Sequence, residues 1–212
     1  MQMITDYICK YLISDEFQNE LTLINKNYYN LKQEFHIRNA ILESINEKGE
    51  YIAFAEYPRG NDDAKTIRVD LSVFTGPLKD PFCIELKYHY PKDVYNEKVL
   101  PINIENDFKR EINFTFNNKT IPVKTALFIL IIAEFDIVDS KTKYPSPLSK
   151  WQFPINPTRQ DQIEKKENWE SVLKMHFKNK ERELGGILLD PFKIEISKPF
   201  KTTYHVYLFE RI

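Results

Sequence analysis

The sequence predicts an α/β protein in which a mixed β-sheet is flanked by helices and followed by a C-terminal helix and β-hairpin. Three patterns lead there. Apolar residues recur at helical spacing near the start, three strand-like runs then alternate with turn-rich stretches, and a later run is apolar on both faces. Such a two-sided apolar strand belongs in a sheet covered on each side. With 212 residues, 42% hydrophobic and 29% charged, the chain has the balance of one ordinary globular domain. Its core is expected at about 30–136, with a C-terminal elaboration over about 140–212.

From about Met3 to Asn46 the pattern is helical. Over Asn30–Asn46, Leu31, Phe35, Ile37, Ile41, Leu42 and Ile45 share one broad face, with Glu34 and Arg38 inside the apolar arc and Glu43 and Glu47 pointing away. Gly49 then supplies the C-terminal stop. Tyr51–Tyr57, Thr66–Phe74 and Phe82–Tyr90 read as an antiparallel meander, separated by turns over Pro58–Lys65 and Thr75–Pro81. Ile104, Phe108, Ile112 and Phe116 stand at i+4 steps and predict a helix over Ile104–Phe116. Thr125–Phe135 is the two-sided central strand.

Four prolines between Ser140 and Pro157 mark a long loop carrying Trp151 and Phe153, placed to stack on bases or to pin the loop to the core. Ile163, Trp169, Leu173 and Phe177 define a third helix over Arg159–Glu183, stopped at Gly185 and Gly186. Phe192–Ser197 and Thr203–Glu210 look like a closing hairpin.

Charge and cysteine usage limit the function classes. A formal charge of -1 leaves no global basic field to attract nucleic acid, so phosphate binding must be local. The longest apolar run, Ala126–Ala133, is far short of the ~20 residues of a membrane span, and the acidic N-terminal stretch lacks the pattern of a signal peptide. Cys9 and Cys83 match no zinc or redox spacing, which fits a reducing compartment. A cytoplasmic protein with no membrane partner is expected.

The chemistry concentrates on two strands. Alternation places Val69, Leu71 and Val73 on one face and Asp70, with Arg68 and Ser72, on the other. Likewise Ile84 and Leu86 turn inward while Glu85 and Lys87 project together. Pairing these strands brings Asp70 beside Glu85, and two adjoining carboxylates are tolerated when a divalent cation lies between them. Such an ion, held by Asp70, Glu85 and the Leu86 carbonyl, would suit phosphodiester hydrolysis, with Lys87 orienting or activating the attacking water. Glu34 is a fourth candidate. The plainer alternative is a solvated strand face with a cross-strand ion pair, and for Glu34 an i+4 pair with Arg38.

The order of elements from Leu31 to Phe135, with Asp70 and then Glu85-Leu86-Lys87, resembles the PD-(D/E)XK nuclease superfamily and its restriction-endonuclease-like fold. Asp70, Glu85 and Lys87 match the signature, and Glu34 is similar in position to the acidic residue that many members carry on the first core helix. Val69 stands where the signature often has proline. The resemblance implies a Mg²⁺-dependent endonuclease acting on DNA, with Mn²⁺ able to substitute, and RNA stays open as a substrate because the hydrolytic site does not distinguish sugars. Lys109 and Arg110, on the second helix, would touch the DNA backbone as basic residues do in similar folds, or else be simply solvated. His89 would contact phosphate or serve structure. A homodimer is compatible with this reading, and a nuclease-fold protein that binds nucleic acid or a protein partner without cleaving is the rival. A third reading is an interaction protein whose charges only face solvent.

Overall fold

A computed structural model of the chain describes residues 2–29, 31–57, 68–76, 81–95, 100–116, 119–136 and 160–212. The turn at 58–65 and the proline-bearing loop at 140–157, with Trp151 and Phe153, lie outside the described residues.

The N-terminal helical stretch is three helices: α1 (Gln2–Leu12), α2 (Asp15–Tyr28) and α3 (Glu34–Lys48). Ser14 caps α2 by accepting the Phe17 N–H at 3.2 Å. Gly49 ends α3 in the left-handed region at φ 70°. Because α3 starts at Glu34, Leu31 falls outside it, and Leu31 and Phe35 are half exposed rather than part of the buried face. That face is Ile37, Ala40, Ile41, Ser44 and Ile45, with Arg38 also buried.

Strands β1 (Ile52–Ala55), β2 (Leu71–Phe74) and β3 (Phe82–His89) form the expected antiparallel meander. Helices α4 (Pro91–Tyr95) and α5 (Leu100–Lys109) follow. Here the i+4 pattern overran: α5 stops at Lys109, and Glu111–Phe116 is a strand, β4, paired antiparallel with the start of β5 (Lys119–Phe135). Ile112 and Phe114 are buried while Glu111, Asn113 and Thr115 are exposed, so a period of two won over the period of four.

Two-sided burial of β5 is as expected. Leu127, Ile129 and Ile131 enter the core beneath α1–α3, whereas Phe128, Leu130 and Ile132 enter the core on the other face. The second core is closed by Ile104 and Phe108 of α5 and by Trp169, Leu173 and Phe177 of α6 (Gln160–Leu184). The result is a helix–sheet–helix sandwich with sheet order β1-β2-β3-β5-β8-β6. β3 and β5 run parallel, as the intervening α5 connection demands, and the other pairings are antiparallel.

The C-terminal hairpin, β7 (Phe192–Ile196) and β8 (Thr202–Arg211), is built into the middle of this sheet. β8 pairs with β5 from Thr202 to Glu210, and β6 (Gly186–Leu188) and β7 share its other edge. β6 went unseen in the sequence because a three-residue strand beginning with glycine has no alternation to read. Gly186 itself is required by packing: a Cβ there would lie 2.5 Å from Phe209 Cε1 and 2.8 Å from the Glu210 carbonyl oxygen. Gly186→Ala is therefore expected to destabilise the fold by about 1–3 kcal/mol, read as a lower urea midpoint; an unchanged midpoint would show that β6 can shift freely. No helix among the described residues is long and apolar enough to cross a membrane.

Candidate active site at the divergence of β2 and β3

The site forms because β2 is short. Its ladder with β3 covers only Leu71–Val73 against Phe82–Ile84, so β3 runs on past its partner. Two main-chain N–H groups beyond that point are taken by side chains: Leu86 N–H donates to Asp70 Oδ2 at 2.8 Å, and Tyr88 N–H donates to Glu34 Oε2 at 2.9 Å. A carboxylate accepting a main-chain N–H is oriented as well as stabilised. Both acids are thus fixed along one edge of β3.

Asp70 lies just before β2, in a bend. The expected alternation fails there: Val69 packs with Phe74, Cys83, Ile112 and Phe114, on the opposite side from Leu71 and Val73. Glu56 helps place this bend, its N–H donating to the Asp70 carbonyl at 3.2 Å from a left-handed backbone at φ 51°. Its carboxylate receives Arg38 at 3.0 Å and Arg68 at 2.8 Å, and these two cations hold it below the usual carboxylate range. Arg38 also stands 4.0 Å from Asp70. Thus Arg38 serves Glu56 and Asp70, and Glu34 serves Tyr88, in place of the i+4 pair that their spacing suggested.

On the α5 side of the sheet, Glu85 and Lys87 project together from β3. Lys87 Nζ is 3.9 Å from Asp70 Oδ2, 3.9 Å from Glu85 Oε2 and 3.3 Å from Asp107 Oδ2, so one ammonium gathers three carboxylates. Arg110 contacts Glu85 directly, lies 3.9 Å from Asp107 and donates to the Arg68 carbonyl at 3.1 Å. This is no solvated strand face: Glu85 is 2% exposed.

Electrostatics follow from that burial. Desolvation and the neighbouring Asp70 push the Glu85 carboxyl up to about 9, although Arg110 and Lys87 pull the other way. Burial opposes charge on Lys87 too, but Asp70, Asp107, Glu85 and Glu34 outweigh it and keep its pKa above the ordinary lysine value. Lys87 is therefore an ammonium at neutral pH, suited to orienting a water or offsetting phosphate charge.

A carboxyl raised on folding favours its protonated form in the native state. The stability it contributes is full below the ordinary carboxylate pKa and is lost as pH climbs toward about 9. Metal-free protein should accordingly lose stability between pH 5 and 9, with a slope of at most about 1.4 kcal/mol per pH unit from this group. Glu85→Gln should flatten that slope in denaturant titrations run in EDTA, and an identical slope in both proteins would refute the assignment.

As the side chains stand, no group of three or more His, Cys, Asp or Glu among the described residues could hold a metal ion. By donor chemistry the site nevertheless suits a hard divalent cation, with the carboxylates of Asp70 and Glu85 and the adjoining Leu86 carbonyl as oxygen donors.

The remaining candidates lie apart from this cluster or take other roles in it. His89 is buried and stands 3.3 Å from Asp93, bracing the entry to α4. Lys109 is exposed and engaged by Glu183 at 2.7 Å and Glu105 at 3.6 Å, tying α5 to α6. Arg110, expected on a helix surface toward DNA, follows α5 and turns inward onto Glu85, because the buried Glu85 carboxyl lies within its reach. Asp107 and Glu56 were missed. Asp107 had a signal, since it sits three residues after Ile104 and one before Phe108, on the flank of the buried face of α5, as Glu34 did for α3. Glu56 had none, because its role depends on a turn conformation.

Compared with family models, curated proteins and solved structures, the chain matches none of them.

Proposed function

We propose that this protein is a metal-dependent endonuclease that hydrolyses phosphodiester bonds of DNA, of the PD-(D/E)XK type. The observation that carries the reading is the convergence of Asp70, Glu85 and Lys87, with the amine 3.9 Å from each acid at a partly covered rim of the sheet. Asp70, Glu85 and the Leu86 carbonyl would hold Mg²⁺, or Mn²⁺ in its place, which supplies Lewis acidity and a more acidic bound water. Lys87 would orient an attacking water and offset charge on the phosphate. Glu34 positions the edge of β3 through Tyr88. The order α3, β1–β2–β3 antiparallel, α5, then β5 parallel to β3 supports the resemblance beyond the motif itself.

The test is cleavage of duplex DNA, single-stranded DNA and RNA in parallel, with EDTA, Mg²⁺ and Mn²⁺. Metal-dependent cutting of duplex DNA that Asp70→Ala removes is expected. No cleavage of any substrate with either ion would defeat the reading. A homodimer would offer one such site to each strand of a duplex, and a role in restriction or other defence against foreign DNA is in keeping with the fold type. The free thiols of Cys9 and Cys83 fit action in the cytoplasm.

A second reading, binding of nucleic acid or a protein partner without cleavage, is favoured by one observation: Arg110 already occupies Glu85. Calorimetry separates the two, because a binding protein of this kind shows no Mg²⁺ or Mn²⁺ uptake.

A further inference from the structure

Arg110 lies at the rim of the site. It occupies the single residue between the end of α5 and the start of β4, so its backbone is held by two elements that pack independently. Its guanidinium contacts the buried Glu85 carboxylate, yet its Nε is buried with no hydrogen-bond partner among the described residues. A guanidinium bonded through all its donors would be anchored; this one leaves a buried donor unsatisfied, which makes leaving cheaper. A second acid stands ready, with Asp107 Oδ1 3.9 Å from Nη1. The side chain is 30% exposed, so a path to solvent exists.

Charge counting points the same way. With Glu85 ionised, as a metal ligand must be, Asp70, Glu85 and Asp107 carry one negative charge more than Lys87 and Arg110 offset. A divalent cation added to the intact set would reverse that to one positive, beside two cationic side chains. Release of Arg110 from Glu85 relieves the repulsion.

We propose that Arg110 is the resident partner of Glu85 in the metal-free protein and gives up that carboxyl group, moving toward Asp107 and solvent, when a divalent cation binds. The inference rests on the metal-dependent nuclease reading. Arg110 then sets the affinity of the site by competition, and once released its guanidinium is free to meet a substrate phosphate at the same rim.

The test is Mn²⁺ binding to the full chain, read from the electron paramagnetic resonance of the free ion, for wild type, Arg110→Gln, Arg110→Lys and Asp70→Asn. Arg110→Gln is expected to tighten Mn²⁺ about tenfold, Arg110→Lys to stay near wild type because it restores a competing charge, and Asp70→Asn to weaken binding. Mn²⁺ affinity that is unchanged or weaker in Arg110→Gln, with wild-type binding intact, overturns the competition and leaves the nuclease reading standing. Absence of binding in all four proteins removes both. Should Arg110→Gln fail to fold, side-chain ¹⁵N spectra of the wild type decide. The Arg110 Nε–H resonance is expected to shift as Mg²⁺ saturates the protein, and one that stays in place at saturation rejects the proposal.

Discussion

Under the proposed nuclease activity, Lys87→Ala is expected to lower the rate of Mg²⁺-dependent DNA cleavage by about 100- to 1,000-fold, the loss typical of removing one preorganised charge from a transition-state site. The effect should fall on kcat more than on KM, because an ammonium 3.9 Å from both Asp70 and Glu85 sits beside the proposed metal ligands rather than along a binding surface. The same variant leaves three carboxylates with one fewer counter-ion, so metal-free protein should also melt at lower temperature, and added Mg²⁺ should recover part of that loss. Circular dichroism establishes that the variant is folded before rates are compared. Cleavage at the wild-type rate would mean that Lys87 serves only to neutralise its neighbours.

Phe108→Ala should have the largest effect on stability, about 3–5 kcal/mol. Phe108 is fully buried between the sheet and α6, its ring 4.9 Å from that of Phe209 and covered by the Arg211 guanidinium at 4.1 Å. Nothing smaller fills that space. The consequence reaches the site, because Phe108 is the anchor between Asp107 and the turn at Arg110; loosening it lets both drift from Lys87 and Glu85. Urea titration should show a lower midpoint, and residual activity at temperatures where the variant is still folded should be reduced. A variant as stable as wild type would show that α5 is held instead by its ion pairs to α6, Lys109–Glu183 and Lys180–Glu105.

What could be read along the chain was whatever depends on neighbours in sequence. The helix stop at Gly49, the meander of β1–β3 and the two-sided strand from Leu127 to Ile132 all follow from periodicities of two or 3.6 and from single turn residues. These signals are local because side-chain direction is set by local backbone geometry.

Other features were decided only when distant segments met. Glu111–Phe116 keeps an i+4 spacing that suits a helix, and pairing with the first residues of β5 drew it into a strand. β8 was legible as a strand, but its place beside β5 was not, since strand order depends on which hydrophobic faces remain uncovered after the rest has packed. In the site, the sequence alone determined which acids and which amine could share a strand rim. The tertiary structure decided that Asp107 and Arg110 join them and that Glu85 is buried, because a carboxylate's partners and its solvation belong to the space around it and not to the residues beside it in the chain.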